Sequence, residues 1–276
     1  MKPFLRTKDF SVSGEEFELL LDEDLQMLVT QPQPKDLQKY YESDAYISHT
    51  DSRKSTLDKM YHAVKKFSLW NKVNLIGRYA KKNKTLLDVG AGTGDFLLHA
   101  QSRGWSVDGV EPSLDARMRS REKKMELVSD LSFVAGNKFQ VITLWHVLEH
   151  LPDLDNQIKT ILSLLETDGV LVVAVPNFKS KDAKFYKEFW AAYDVPRHLW
   201  HFSREAIEGK FASHQMKLIK IKPMWFDSFY VSMLSEKYKT GKQNFIRAFC
   251  VGLWSNILAL FNGQASSLIY ILKKEA

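Results

Sequence analysis

This sequence predicts an α/β protein built on a doubly wound, mainly parallel sheet, and three observations carry that expectation. The first is the stretch Leu86–Glu111, where an apolar run, a glycine-rich turn, a helical run and a second apolar run follow in order. The second is that the alternation continues: Phe139–Trp145 and Val170–Val175 are further β-branched or apolar runs, with helical periodicity over Leu154–Leu165 between them. The third is size, since 276 residues hold one such domain plus additions and bury a real core.

Leu86, Leu87 and Val89 read as a buried strand. Gly90-Ala91-Gly92-Thr93-Gly94 then sets glycines at alternate positions, where the backbone turns sharply and a ligand can approach with no Cβ in the way. Phe96, Leu97, Leu98 and Ala100 open a helix whose first amides point back at the turn. Val107–Val110 is the next strand, and it ends in Glu111, twenty-one residues past Gly90. An acid near that spacing holds ribose hydroxyls in nucleotide-binding α/β folds. A glycine turn alone is a weak signal, but the ordered context points to an adenosine-type cofactor. The dinucleotide fingerprint needs G-x-G-x-x-G, whereas this chain has G-x-G-x-G followed by Asp95, which argues against a nicotinamide oxidoreductase.

This segment resembles the first motif of class I S-adenosylmethionine-dependent methyltransferases. The resemblance implies a seven-stranded Rossmann-like methyltransferase fold with S-adenosylmethionine as cofactor and S-adenosylhomocysteine as product. It assigns the cofactor to Asp88, Gly90, Ala91, Gly92 and Gly94, with Glu111 on the ribose and Pro112 beside it. An anion at Asp88 also suits a sulfonium cation. The likeness extends over residues 40–222 and 266–274, to a branch that includes quinone-biosynthesis O-methyltransferases.

Taken in order, Phe17–Leu21 and Met27–Val29 read as two short strands around an acidic turn, closed by Gln31-Pro32-Gln33-Pro34. The piece resembles a small zinc-ribbon-like segment of some relatives, but Asp22 and Leu25 stand where those relatives have cysteines, so no metal is expected. Residues 1–56 form this extension and 57–276 the methyltransferase domain. Tyr41 and Tyr46 lie in an aromatic stretch suited to a pocket wall. From Leu57 to about Lys82, apolar residues recur at helical intervals. Residues 113–125 read as an exposed helix. Glu126–Val128 is a weak third strand, with Ser132–Val134 as its alternative; the resemblance places Asp130 and Leu131 against the adenine. Phe139–Trp145 is the fourth strand, where Gln140 replaces an acid usual in the family. Thr167–Gly169 is a turn, Val170–Val175 a strand covered on both faces, Ser203–Phe211 a helix, and Met216–Ile221 and Ser266–Leu272 the last two strands.

Two segments carry the remaining chemistry. His146-x-x-Glu149-His150 matches a zinc-peptidase signature, yet a strand runs straight into His146, and Pro152 limits a ligand-bearing helix. The stretch more closely resembles the family's fourth motif, in which Leu144, Trp145 and His146 line the cofactor and His146 or His150 acts as base. Tyr193–Leu199 resembles a run found after the fifth strand, which adds His198 as a base and Arg197 as partner of an anionic substrate group, of Asp194 or of a cofactor carboxylate. Insertions at about 178–205 and 223–265 are dense in aromatic and apolar residues. For 223–262 three readings stand: a helical pair packed on the domain, a lid over an apolar substrate, or a peripheral membrane contact.

A net charge of +6 is modest, and Cys250, the single cysteine, leaves no internal disulfide and no cysteine-based metal site. The N-terminus lacks an apolar core of signal-peptide length, so a cytoplasmic protein is expected. The expected activity is methyl transfer to a small-molecule or lipid-like acceptor, at a hydroxyl oxygen among other atoms, with no nucleic acid and no required metal. A cofactor-binding protein of the same fold without turnover is the alternative.

Overall fold

The computed structural model describes residues 1–41, 56–80 and 83–275, with the backbone alone at 38 and 56–63. The chain divides into two compact units.

One unit comprises Met1–His49, Leu148–Pro152 and Ala174–Tyr270. It opens with strands β1 (Lys2–Lys8), β2 (Glu16–Asp22) and β3 (Met27–Gln31). These pair antiparallel, Leu20 facing Val29 and Thr7 facing Phe17. The expected pair is therefore a three-stranded ribbon. Its first strand lacks a clean alternation because the register shifts between Pro3 and Leu5. In the turn between β2 and β3, Asp22 Oδ1 accepts the amides of Asp24 and Leu25, a short-range turn motif that asparagine and aspartate favour.

The other unit comprises Thr50–Val147, Asp153–Val173 and Ile271–Ala276. In chain order it holds α1 (Thr56–Gly77), β4 (Thr85–Val89), α2 (Asp95–Gln101), β5 (Ser106–Val110), α3 (Leu114–Glu122), β6 (Phe139–Trp145) and α4 (Leu154–Ser163), then enters β7 (Leu165–Pro176). Ser113 caps α3 by accepting the Ala116 amide. Thr167–Gly169, expected as a turn, lies inside β7, whose residues 170–175 are buried.

Beyond β7 the chain forms α5 (Lys181–Tyr186), β8 (Trp200–His201), α6 (Arg204–Ala212), β9 (Met216–Pro223), α7 (Asp227–Thr240), α8 (Phe245–Asn262) and β10 (Ser267–Lys274). β8 joins the ribbon through Leu28↔His201 and Val29↔Trp200. The aromatic-rich stretch 185–202 packs inward: Tyr186, Trp190 and Tyr193 share a core with Phe17, Leu19 and Leu28.

The larger sheet has the order β5-β4-β6-β7-β10-β9. β4 pairs in parallel with β5 on one side and β6 on the other. The chain thus reverses its direction of winding at β4, the position where open α/β sheets bind ligands beyond the strand ends. The mainly parallel α/β architecture is as expected, with one correction: six strands among the described residues instead of seven. Glu126–Val128 shrinks to a single parallel bridge, Val110↔Val128. The chain turns in at Lys124, with φ 63°, and leaves through the Asp130-capped 3₁₀ turn Leu131–Val134, so no room remains for a longer ladder. That turn also corrects the alternative strand at 132–134.

Candidate functional site

The glycine turn hangs from the end of β5. The amides of Gly90 and Ala91 both donate to the Val110 carbonyl, at 2.8 and 3.0 Å. Gly90, Gly92 and Gly94 have φ of +73°, +54° and +75°, a region that side chains with a Cβ adopt only with strain. A Cβ on Gly90 would lie 2.3 Å from Val147, and one on Gly94 2.9 Å from Met125, whereas one on Gly92 would meet nothing within 4 Å. The outer glycines are demanded by packing, and the middle one leaves an open backbone face.

Glu111 closes over that face. Its Oε2 accepts the Gly92 amide at 2.8 Å and its Oε1 the Ser113 amide at 2.9 Å. Each oxygen keeps a lone pair, so the carboxylate can still accept from two vicinal hydroxyls. Pro112 is exposed, its carbonyl accepting Arg117 at 2.7 Å. Asp130 accepts the Ser132 amide at 2.8 Å, and Leu131 is buried beside it.

Asp88 is buried at the end of β4, and its Oδ1 accepts the Thr143 hydroxyl at 2.6 Å. Burial pushes its pKa up to about 7, against the opposing pull of Thr143 and the Lys72 ammonium. At the end of β6, Leu144 is buried, and Trp145 meets the Phe96 ring edge-to-face at 5.6 Å with Lys72 Nζ 4.3 Å over it. The Trp145 indole nitrogen is buried and has no hydrogen-bond partner among the described residues. His146 follows with φ 58°, a left-handed backbone on a non-glycine residue, the kind of strain that gathers at functional sites. An open glycine face, a carboxylate with spare lone pairs and an indole donor awaiting an acceptor fit the nucleoside of the expected cofactor. Asp95, next to the turn, holds Lys65 and Lys123 at 2.7 Å each; burial alone would raise its pKa, but the two ammonium groups hold it low.

The other expected residues gather in the unit that holds the N-terminal ribbon. Arg197 is fully buried. Its Nε bonds both Asp194 oxygens at 3.1 Å, its Nη2 bonds Asp194 at 2.6 Å and Asp9 at 2.9 Å, and its Nη1 donates to the Tyr40 carbonyl at 3.0 Å. Of its three expected partners, this structure supplies Asp194. His198 Nδ1 donates to the Ala192 carbonyl at 2.9 Å, which leaves Nε2 as the basic nitrogen, 4.0 Å from Asp194. His150 meets His198 ring edge to ring face at 4.5 Å, and its Nδ1 lies 3.0 Å from both the Arg197 carbonyl and the Tyr41 hydroxyl. The His150 ring keeps a little solvent contact but is packed round by protein; burial, and then the neighbouring His198, lower its pKa to about 4. Polar side-chain atoms of Glu149, His150 and His198 lie within 4.8 Å of one another. Tyr46 lies outside the described residues.

His146 and His150 do not share a helical face, since His146 is left-handed and Leu148–His150 is a 3₁₀ turn; this removes the geometry of the peptidase signature. Sequence reasoning missed Thr143, Lys72 and Val147 around the glycine turn, and Asp9 beneath Arg197. Thr143 faces Asp88 only through the β4–β6 register, which no local pattern reveals.

A family model described as a methyltransferase domain matches residues 60–221, more than half of the chain. An uncharacterized methyltransferase of Alkaliphilus oremlandii is 32% identical over 110 residues, 38% of this chain and 51% of that protein. The ubiquinone biosynthesis O-methyltransferase of Actinobacillus pleuropneumoniae is 34% identical over 109 residues, 34% of this chain and 46% of that protein. The match thus spans about half the length of these curated relatives. Among solved structures, the magnesium protoporphyrin IX methyltransferase of Synechocystis, with bound S-adenosylhomocysteine, shares the fold at a TM-score of 0.54 and 13% identity, over 86% of this chain and 92% of that one.

Proposed function

The chain belongs to the methyltransferase-domain family, and from that premise we propose that it moves the methyl group of S-adenosylmethionine to a small-molecule or lipid-like acceptor, at a hydroxyl oxygen. The observation that carries this reading is the Glu111 carboxylate bonded at 2.8 Å to the amide of the open glycine, Gly92. When bound, the cofactor supplies a methyl already activated by its sulfonium charge.

What remains for the protein is alignment and the removal of one proton. Glu111 would hold the ribose hydroxyls. The backbone of Gly90–Gly92 would give the nucleoside a surface free of side chains, Asp130 and Leu131 would border the adenine, and Leu144 and the Trp145 indole would also line the nucleoside. Asp88, which the protein leaves incompletely neutralised, favours a cation nearby. His146, which follows β6 with a left-handed backbone beside Trp145, takes the acceptor's proton. The protein works in the cytoplasm. A coclaurine N-methyltransferase of the same fold is bound to N-methylheliamine, a small molecule, which supports the proposed size class of the acceptor.

Titration calorimetry with S-adenosylhomocysteine tests the site. Glu111→Ala is expected to weaken binding about 10- to 100-fold, the loss of charge-assisted hydrogen bonds worth roughly 1.5–3 kcal/mol; unchanged affinity refutes the assignment. For the acceptor, the protein is incubated with methyl-labelled cofactor and a cell extract split into lipid, small-molecule and macromolecular fractions. Label confined to protein or RNA sinks the acceptor class.

A further inference from the structure

On α8 the usual arrangement of an amphipathic helix is reversed. Ala248, Val251, Gly252, Ser255, Asn256 and Ala259 form its buried face. Its outward face is large and apolar: Ile246 is 79% exposed, Phe249 56%, Leu253 42%, Ile257 45%, Leu260 69% and Phe261 83%. At about 100° per residue these fall in one stripe along the helix.

The inward face is anchored, so the helix cannot roll to hide that stripe. Ser255 Oγ donates to Asp182 Oδ1 at 2.6 Å, and Asn256 Nδ2 donates to the Trp225 carbonyl at 2.8 Å. A Cβ on Gly252 would come within 2.9 Å of Phe229, so α7 and α8 are in close backbone contact there.

Cations rim the stripe. Lys181 Nζ sits 4.4 Å over the Trp254 ring of the same helix. Lys237, Lys239 and Lys242 are exposed just ahead of α8. The helix itself carries no acid, and the nearby Glu236 is buried and paired with Arg247 at 3.2 Å.

We propose that this face docks on an anionic lipid bilayer, with α8 lying in the plane of the headgroups and its apolar stripe in the acyl boundary. The composition is that of interfacial helices, with aromatic and aliphatic residues on one side and lysines at the edge. Charge decides between lipid and a second copy. Two copies meeting on this face would bring one lysine rim against another, while anionic headgroups neutralise it. Crossing the membrane is the wrong geometry. The helix is the only one among the described residues long and apolar enough to span, but spanning would strip Ser255 and Asn256 from their partners. The inference stands on α8 and the lysines beside it and does not depend on the methyl-transfer reading.

Cys250, the only cysteine, is exposed on the outward side of α8 and offers a reporter. The full chain is labelled there with a polarity-sensitive fluorophore and mixed with vesicles of phosphatidylcholine, alone or with phosphatidylglycerol. The expected result is a blue shift and co-flotation with the phosphatidylglycerol vesicles, about tenfold weaker with phosphatidylcholine alone and weakened by salt. Leu253→Ser with Ile257→Ser and Leu260→Ser is expected to lower partitioning at least tenfold while S-adenosylhomocysteine affinity and Tm hold. Should that variant misfold, Lys237→Glu with Lys242→Glu, both exposed, is expected to erase the preference for phosphatidylglycerol. No response to either vesicle overturns the proposal. So does a blue shift without lipid that grows with protein concentration, the mark of self-association. Vesicle binding by a protein that fails to bind S-adenosylhomocysteine would count against the methyltransferase site and leave the docking face standing.

Discussion

Asp88 in one unit and Asp9 with Asp194 in the other are carboxylates largely withdrawn from water, yet the chain treats them in opposite ways. Asp88 receives one hydroxyl at 2.6 Å, and burial pushes its pKa up to about 7. Asp9 and Asp194 share one guanidinium; burial would raise them too, but the hydrogen bonds and charge of Arg197 outweigh it and hold both low. A carboxylate fully matched by a buried arginine is a strut. A carboxylate left short of positive charge at the end of a sheet strand is a place for a ligand to complete. The difference separates residues that hold a unit together from residues that wait for something, and it can be broken experimentally.

The largest effect belongs to the strut. Arg197→Met leaves two buried acids without their partner and should destabilise the protein by about 3–5 kcal/mol, read from urea unfolding. A loss below about 1 kcal/mol would mean the guanidinium contributes little and is available for another role.

Asp88→Asn should act in the opposite direction. Because the folded pKa of Asp88 is raised, the folded protein holds a proton that the unfolded chain releases above about pH 4, so parental stability falls as pH rises from there to about 7 and then levels. Asparagine keeps an acceptor for Thr143 and has no charge to bury. The variant should match the parent near pH 4 and exceed it by up to about 4 kcal/mol above pH 7, while losing affinity for S-adenosylhomocysteine. A stability difference that does not change with pH breaks the comparison.

His150 supplies the contrary slope over much of the same window. Its folded pKa, about 4, lies below the unfolded value, so its contribution is intact above about pH 6.5 and is lost as pH falls towards 4. His201, buried against Thr30, is held well below its ordinary value by burial and by His198 and adds in the same sense. His150→Gln should remove about 1–2 kcal/mol of that acid-side loss, allowing for the solvent the ring still sees. An unchanged acid limb would place the lability elsewhere.

Much of this was legible from local pattern, and the remainder was not for identifiable reasons. Phe139–Trp145 is rich in β-branched and aromatic residues and is a strand over those same residues. The glycine turn announced itself because strand, turn, helix and acid are consecutive. Asp9 meets Arg197 across 188 residues of sequence, a pairing set by tertiary packing alone. β8 is two residues long and exists only because β3 offers it an edge. The third strand failed because propensity says nothing of the space that the turns at Lys124 and Asp130 leave. The segment that holds α8 left three readings open, since the sequence does not reveal that its small residues, not its large ones, face inward.

The smallest expected effect gives the sharpest test, because it splits two neighbouring glycines. Both Gly90 and Gly92 have positive φ, and alanine at either should cost about 1–2 kcal/mol in backbone strain. At Gly90 the new methyl would also strike Val147 at 2.3 Å, an overpacking that adds about 1–3 kcal/mol. At Gly92 it would meet nothing of the protein, so stability should fall by the strain alone. Ligand binding should rank them differently, because the empty face at Gly92 is the surface proposed for the nucleoside. Gly92→Ala, with the milder loss of Tm, should therefore lose at least tenfold in S-adenosylhomocysteine affinity measured on folded protein by calorimetry. If Gly92→Ala binds as the parent does, the open face is not where the cofactor lies, and Glu111 folds over it for a structural reason only.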